Sequence, residues 1–298
     1  LQNFVPDPMR TRPTSLVPLK KISAKYGVDA WAKLEFENPT GCFKDRGSHI
    51  EVLKAKELGK KAVCLASTGN MAASVAAYAC IEGLPCYVFV PEKTTAGKLA
   101  QATMYNARII RVKGDYSACE LSCRRFAEQH DYYLAGDYVY RAEGQKSFSW
   151  ELASQDKGNA FDAVLVPVGC GTNFAAIYKG LKECKEAGLI EKLPKMVAIQ
   201  PDGCSPVIEG INKGQKVVKE QVFTRAGAVA AADPVDFVKV QQGVKESAGL
   251  ALTVSEDEIV TALKEMVTEQ GYFTEPACAL PLAAMKKYQA HFSGNRVL

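Results

Sequence analysis

The sequence has little of what metal centres, disulfide scaffolds and membrane spans are made from. Histidine occurs three times in 298 residues. His49, His130 and His291 stand too far apart for a metal-type spacing, so no metal site is expected. Ten cysteines are present, but no two form a C-x-x-C pair. A chain of this length buries a core without covalent staples, so free thiols in a reducing cytoplasm are expected. The longest apolar stretch, around Met71–Ile81, falls well short of the roughly 18 residues of a membrane span. The opening residues carry no signal-peptide pattern. Charge is not concentrated either: 37 Lys+Arg against 33 Asp+Glu leaves +4, without the basic stripe that nucleic acid requires. Membrane and nucleic-acid partners are therefore not expected, whereas an anionic small molecule suits the mildly basic balance.

What is there is the composition of a globular protein, 47% hydrophobic and 23% charged, long enough for two domains at roughly 150 residues each. Short β-branched runs alternate with amphipathic stretches, the pattern of a parallel sheet covered by helices. Strands are expected at Ala62–Ala66, Cys86–Val90, Arg108–Val112 and Tyr132–Ala135, with helices at Met71–Glu82, Ala96–Tyr105 and Tyr116–His130. A second series places strands at Ala163–Val168, Met196–Gln200, Leu250–Val254 and Arg296–Leu298. Its helices are Asn173–Glu186, Val235–Ser247, Glu256–Gln270 and Ala277–Ala290. Gly214–Pro234 has no period and is expected to be irregular, and Leu1–Phe36 has no core of its own. The fold class is α/β: two parallel-sheet domains, the larger from residues 1–50 and 141–298, the smaller from 51–140 inserted into it, with a ligand in the cleft between them.

Three motifs carry chemistry. Asn38-Pro39-Thr40-Gly41-Cys42-Phe43-Lys44-Asp45-Arg46-Gly47 is a turn running into a helix. Lys44 therefore falls in or near a first helical turn, where the helix dipole disfavours an ammonium and favours Schiff-base chemistry. Ser67-Thr68-Gly69-Asn70 lies where a strand hands over to a helix, a place for hydroxyls and backbone N–H groups to clamp a carboxylate. Gly169-Cys170-Gly171-Thr172-Asn173 follows an apolar strand and opens a helix, so its backbone can close around a phosphate. The dinucleotide fingerprint is not met: Phe174 stands where a third small residue belongs, and the next strand ends at Gln200 rather than an acid. Each motif also has a plain reading: Lys44 as a solvated lysine, Ser67–Asn70 as a helix cap, and Arg141 further on as a surface arginine at a helix start.

Together these motifs resemble pyridoxal-phosphate enzymes of the tryptophan synthase β fold type (fold type II), the threonine synthases above the others. The family's N-P-T-G-S-F-K-D-R-G block is matched from Asn38 to Gly47 except at Cys42, and its S-[ST]-G-N loop at Ser67–Asn70. Arg141-Ala142-Glu143-Gly144-Gln145-Lys146 is similar to its R-x-E-G-Q-K segment. Gly169–Asn173 is similar to its phosphate loop, and Glu275-Pro276-Ala277 to its late E-P-A turn. The matches come in family order across almost the whole chain.

The resemblance implies pyridoxal 5′-phosphate carried on Lys44, which also moves protons. It implies Asn70 at the pyridine hydroxyl, and Gly169, Cys170, Gly171, Thr172 and Asn173 at the cofactor phosphate. Ser67 and Thr68 would hold substrate carboxylate or phosphate, with Arg141 as cationic partner of the latter. The activity implied is that of a carbon–oxygen lyase: γ-elimination of phosphate from O-phospho-L-homoserine and hydration to L-threonine, by a cytoplasmic homodimer.

The sequence departs from the family pattern in four places. Cys42 replaces serine, Met71 follows Asn70, and Ala135-Gly136 stand where the family offers Asn-Ser. Leu298 ends the chain before the strand whose Thr or Ser faces the pyridine nitrogen is complete. The start at Leu1 and the stop at Leu298 are expected to reflect trimming. Two rivals remain: a serine/threonine dehydratase or cysteine-synthase-like enzyme on the same scaffold, and a non-catalytic ligand-binding homologue.

Overall fold

The computed structural model describes residues 13–136, 139–157 and 161–298. It opens with β1 (Leu16–Pro18), α1 (Lys20–Tyr26) and β2 (Asp29–Lys33). There follow α2 (Lys44–Glu57), β3 (Val63–Ala66), α3 (Asn70–Ile81), β4 (Cys86–Pro91), α4 (Ala96–Met104), β5 (Arg108–Val112), α5 (Tyr116–His130), β6 (Tyr133–Leu134) and α6 (Val139–Gln145). The remainder comprises α7 (Ser147–Gln155), β7 (Ala163–Pro167), α8 (Thr172–Glu186), β8 (Lys195–Pro201), α9 (Pro206–Lys213) and α10 (Phe237–Glu246), then β9 (Leu250–Val254), α11 (Glu256–Glu265), α12 (Leu280–Lys287) and β10 (Arg296–Val297).

The chain divides into two units, one of Glu35–Gln145 with Thr14, the other of Ser15–Leu34 and Lys146–Leu298. The smaller is thus inserted into the larger, but its borders differ from the expected 51–140. Residues 35–50 and 141–145 belong to it because α2 packs on α6 and α3, so the lysine block and Arg141 sit in the inserted unit.

The smaller unit holds a four-stranded parallel sheet in the order β5-β4-β3-β6. Val63 and Leu65 of β3 and Val88 and Val90 of β4 enter one core with α2, α3 and α4, while Cys64 and Phe89 enter the other with α5. Both faces are covered, which is why these strands read as apolar runs rather than alternations. The ten cysteines are free thiols; burial pushes that of Cys86 up to about 12, the mark of a packing residue.

The larger unit has a six-stranded sheet, β1-β2-β10-β7-β8-β9, parallel except for the edge strand β1. Ala163, Leu165, Val197 and Ile199 face one core, and Val164, Val166, Met196 and Ala198 the other. The N-terminal segment is not an appendage: β2 is a sheet strand, and Ile22, Val28 and Ala30 are core residues. The last strand, β10, lies in the middle of the sheet between β2 and β7. There Arg296 makes a two-pronged ion pair with Asp156, at 2.7 and 2.6 Å, beneath the rings of Trp31 and Phe161.

Two expected long helices are broken. Glu256–Gln270 is α-helical only to Glu265 and widens into a π-turn over Met266–Gln270 that ends at Gly271. Ala277–Ala290 becomes a 3-10 turn, α12 and a second 3-10 turn, because Pro281 can sit only in a helix's first turn. The segment Gly214–Pro234 is irregular apart from a 3-10 turn at Gly227–Val229. Helix α9, missed in the sequence, is eight residues long and has too few turns to display a period.

A Cβ on Gly144 would run into the Arg46 carbonyl and lie 2.9 Å from Gly47 Cα. Gly144→Ala should therefore lower unfolding free energy by about 3 kcal/mol, the upper end of overpacking costs, measured by urea denaturation. A buried acid in the larger unit sets a second expectation. Burial pushes the Glu265 carboxyl up, but hydrogen bonds from Lys25, Lys286 and Tyr26 outweigh it and hold it below the usual range. The stabilisation is complete above the unfolded carboxyl's value of about 4.3 and disappears as pH falls through the lower folded value. Glu265→Gln should thus cost about 1–3 kcal/mol at pH 7, and urea melts of variant and wild type should converge as pH falls below about 4.

Candidate active site

The lysine block is fastened on both sides of its lysine. A 3-10 turn at Glu35–Glu37 leads into it, Asn38 Nδ2 donates to the Glu35 carbonyl at 2.7 Å, and Gly41 turns the chain with φ +81°. Asp45 accepts from the Thr40 N–H and hydroxyl at 2.7 and 2.6 Å. Burial pushes its carboxyl above the usual range while those hydrogen bonds pull it down. Arg46 donates through Nε and Nη2 to the two oxygens of Glu35, at 2.7 and 2.8 Å. The planar guanidinium matches a carboxylate in this two-pronged way, so the helix start is fixed in orientation as well as position.

Between these clamps Lys44 is the first residue of α2 and half-buried. Its Nζ lies 4.5 Å from the centre of the Phe43 ring and pairs with no carboxylate among the described residues. Its neighbours are tied down, and the lysine itself is left available.

Lys44, Gly47, Ser48 and Glu51 recur at helical spacing and share one face of α2. Helix α6 packs on that face through two glycines: a Cβ on Gly47 would lie 2.6 Å from Arg141 Cγ, and Gly144 meets the α2 backbone. Arg141 is 1% exposed, which overturns its plain reading as a surface arginine. Its Nη2 pairs with Glu51, itself fully buried, and reaches Ser48 Oγ at 3.3 Å; its Nε donates to the Gly136 carbonyl at 2.6 Å. Glu51 also accepts the Gly136 N–H at 3.0 Å. One guanidinium nitrogen, Nη1, is buried with no hydrogen-bond partner. Sequence reasoning missed Glu51 and Gln145; the signal for Glu51 was an acid two turns after Lys44 on the same face.

Ser67, Thr68 and Asn70 form the turn between β3 and α3, and Ser67 and Thr68 are half-buried. The N-cap of α3 is Gly69, with no side-chain cap hydrogen bond. The plain reading of this motif as a helix cap is therefore not met. Ser67 Oγ accepts a long 3.4 Å hydrogen bond from the Gly69 N–H and keeps its own proton to donate.

In the larger unit, Gly169–Asn173 joins β7 to α8. Gly171 has φ +100°, and a Cβ on it would lie 2.8 Å from Val240 Cγ2; one on Gly169 would lie 3.2 Å from Val229 Cα. Thr172 is anchored by its hydroxyl, which donates to the buried Asp236 at 2.6 Å, and Asp236 N–H donates to the Cys170 carbonyl at 3.0 Å. The backbone N–H groups of Gly171, Thr172 and Asn173 have no acceptor among the described residues, the usual state of a helix's first turn and a ready anion cradle. Gln200 is fully buried and bridges the Val168 carbonyl to the N–H groups of Val207 and Ile208. That employment removes it as a nucleotide ligand.

The smaller unit thus carries Lys44, Ser67, Thr68, Asn70 and Arg141, and the larger carries Gly169, Cys170, Gly171, Thr172 and Asn173. An amine without an acid partner suits an aldehyde, and a glycine turn with unspent N–H donors suits a phosphate ester. The residues present fit pyridoxal phosphate on both counts.

Comparisons with known proteins agree. Residues 9–298 match the family described as pyridoxal-phosphate dependent enzyme. A threonine synthase of Methanocaldococcus jannaschii is 39% identical over 92% of this chain and 69% of its own. One of Methanosarcina acetivorans is 37% identical over the same shares. Among solved structures, a threonine deaminase of T.th. superposes with a TM-score of 0.85 at 26% identity, over 96% of this chain and 90% of that one. Maize serine racemase shares the fold at 22% identity and a TM-score of 0.85, over 96% and 87%. The chain belongs to the pyridoxal-phosphate dependent enzymes and, within them, to the threonine synthase family.

Proposed function

We propose that this chain eliminates phosphate from O-phospho-L-homoserine and adds water to yield L-threonine. The observation that carries the reading is Lys44, held at the head of α2 between the clamped Asp45 and Arg46 with no acid to neutralise it. Pyridoxal phosphate, when bound, supplies the electron sink that makes protons next to the amino-acid carbon acidic.

The chain's own residues do the rest. Lys44 Nζ would hold the cofactor through its aldehyde, and as a free amine would be the base that moves protons at the substrate's Cα and Cβ. The N–H groups of Gly169, Cys170, Gly171, Thr172 and Asn173 hold the cofactor phosphate, and Asn70 the ring hydroxyl. Ser67 and Thr68 donate to the substrate's carboxylate or phosphate. Arg141 offers Nη1 to the substrate phosphate, its other polar contacts being committed to Glu51, Ser48 and Gly136. One water enters and one phosphate leaves, so no further reactant is needed.

A homodimer in the cytoplasm belongs to the same reading. Exposed Phe223 and Phe273, 74% and 88% accessible, supply apolar surface for a second copy, and free thiols suit a reducing compartment. No helix among the described residues is long and apolar enough to cross a membrane.

Two measurements test the reading. The purified protein loaded with pyridoxal phosphate should release inorganic phosphate and form threonine in equal amounts from O-phospho-L-homoserine, and Lys44→Ala should do neither. Ammonia release from L-threonine without phosphate release would show a sister dehydratase instead. Gly171→Ala forces a side chain to φ +100° and against Val240. It should cost about 1–3 kcal/mol of stability and weaken cofactor affinity about tenfold, about 1.4 kcal/mol, followed by titrating the visible absorption band.

A further inference from the structure

We propose that Gln145 is a specificity-determining residue whose side-chain amide, together with Arg141 Nη1, grips the leaving phosphate of the substrate. The inference rests on the reading that the substrate is a phosphorylated amino acid.

Gln145 ends α6 and is 2% exposed. Its Oε1 is buried with no hydrogen-bond partner among the described residues. Buried amides are almost always bonded, because stripping one of water without replacement destabilises the fold. Four residues earlier on the same helix face, the buried Arg141 carries the same defect at Nη1. A Cβ on Gly47 would lie 2.6 Å from Arg141 Cγ and 3.3 Å from Gln145 Cγ, so both side chains leave α6 over one glycine. That glycine stands three residues from Lys44 on the face of α2 that Lys44 shares. Two side chains with unspent polar atoms thus flank one glycine of the α2 face that carries Lys44.

The chemistry of the pair selects the ligand. A phosphate dianion accepts hydrogen bonds and donates none. Arg141 Nη1 is a donor, and the amide presents its NH2 after a half-turn about its last bond, which exchanges nitrogen and oxygen at no steric cost. Glu51 already balances the charge of Arg141, so the guanidinium alone attracts a dianion weakly. A neutral amide adds a directional donor without adding charge, holding the phosphate while leaving it free to depart. A substrate whose leaving group is a bare hydroxyl gains nothing comparable, so Gln145 would separate the phosphorylated substrate from serine or threonine.

Gln145→Met keeps the chain length and removes the hydrogen-bonding ends. In the cofactor-loaded protein it should leave the visible spectrum unchanged and hold or raise the thermal midpoint, since an unsatisfied buried amide is lost. KM for O-phospho-L-homoserine should rise at least about tenfold, with kcat changed far less. The Kd of inorganic phosphate by calorimetry should weaken by a similar factor. Gln145→Glu, nearly isosteric, should weaken phosphate binding more than Met does and decides the matter if the Met variant does not fold. A lower thermal midpoint with KM and phosphate affinity at wild-type values would show a structural amide and overturn the proposal, as would wild-type phosphate affinity in Gln145→Glu. A wild-type protein that binds phosphate through Gln145 yet does not turn over O-phospho-L-homoserine would sink the substrate reading and leave the grip standing.

Discussion

The close approach of α2 and α6 through Gly47 and Gly144 is the constraint on which the smaller unit's chemistry depends. Without side chains at those two positions the helix backbones meet, and the α6 side chains on either side must reach along α2 rather than away from it. That contact commits Arg141 to Ser48 and Glu51, buries a charge pair that would be costly if either member were alone, and brings Gln145 over the face that begins with Lys44. The same contact explains why the inserted unit takes in the lysine block: α2 is bound more closely to α3 and α6 than to anything upstream of Glu35.

The turn Gly169–Asn173 follows the opposite strategy. Its side chains are few and already employed, as Thr172 is by Asp236, so what remains on offer is backbone N–H. A helix start of this kind recognises an anion by geometry, and a glycine with φ +100° backed by Val240 admits little variation. The lysine block works through one side chain held by its neighbours, the turn through main-chain donors. This division of labour suits a cofactor with one reactive carbonyl and one inert anionic handle.

Much of this was legible in the sequence. Arg108–Val112, Tyr116–His130 and Leu250–Val254 fall where the alternation of apolar and polar residues puts them, because each is packed on the face its period implies. The lysine, hydroxyl and glycine motifs were legible because each must sit at an element's end to work. What escaped depends on partners far away in the chain. Nothing local marks Leu16–Lys33 as sheet, since β2 gains its neighbour only when β10 returns from the far end. The plain reading of Arg141 as a surface residue stayed open beside the substrate-binding one because its counter-charge, Glu51, lies ninety positions earlier. Gln145 was hidden inside a motif whose arginine drew the attention, and only its lack of partners in three dimensions sets it apart.

The proposed chemistry rests on a single amine. Reducing the pyridoxal-phosphate-loaded protein with borohydride and mapping the labelled peptide by mass spectrometry should place the pyridoxyl group on Lys44 and nowhere else. A label on another lysine, or a protein that binds the cofactor yet takes no label, would contradict it.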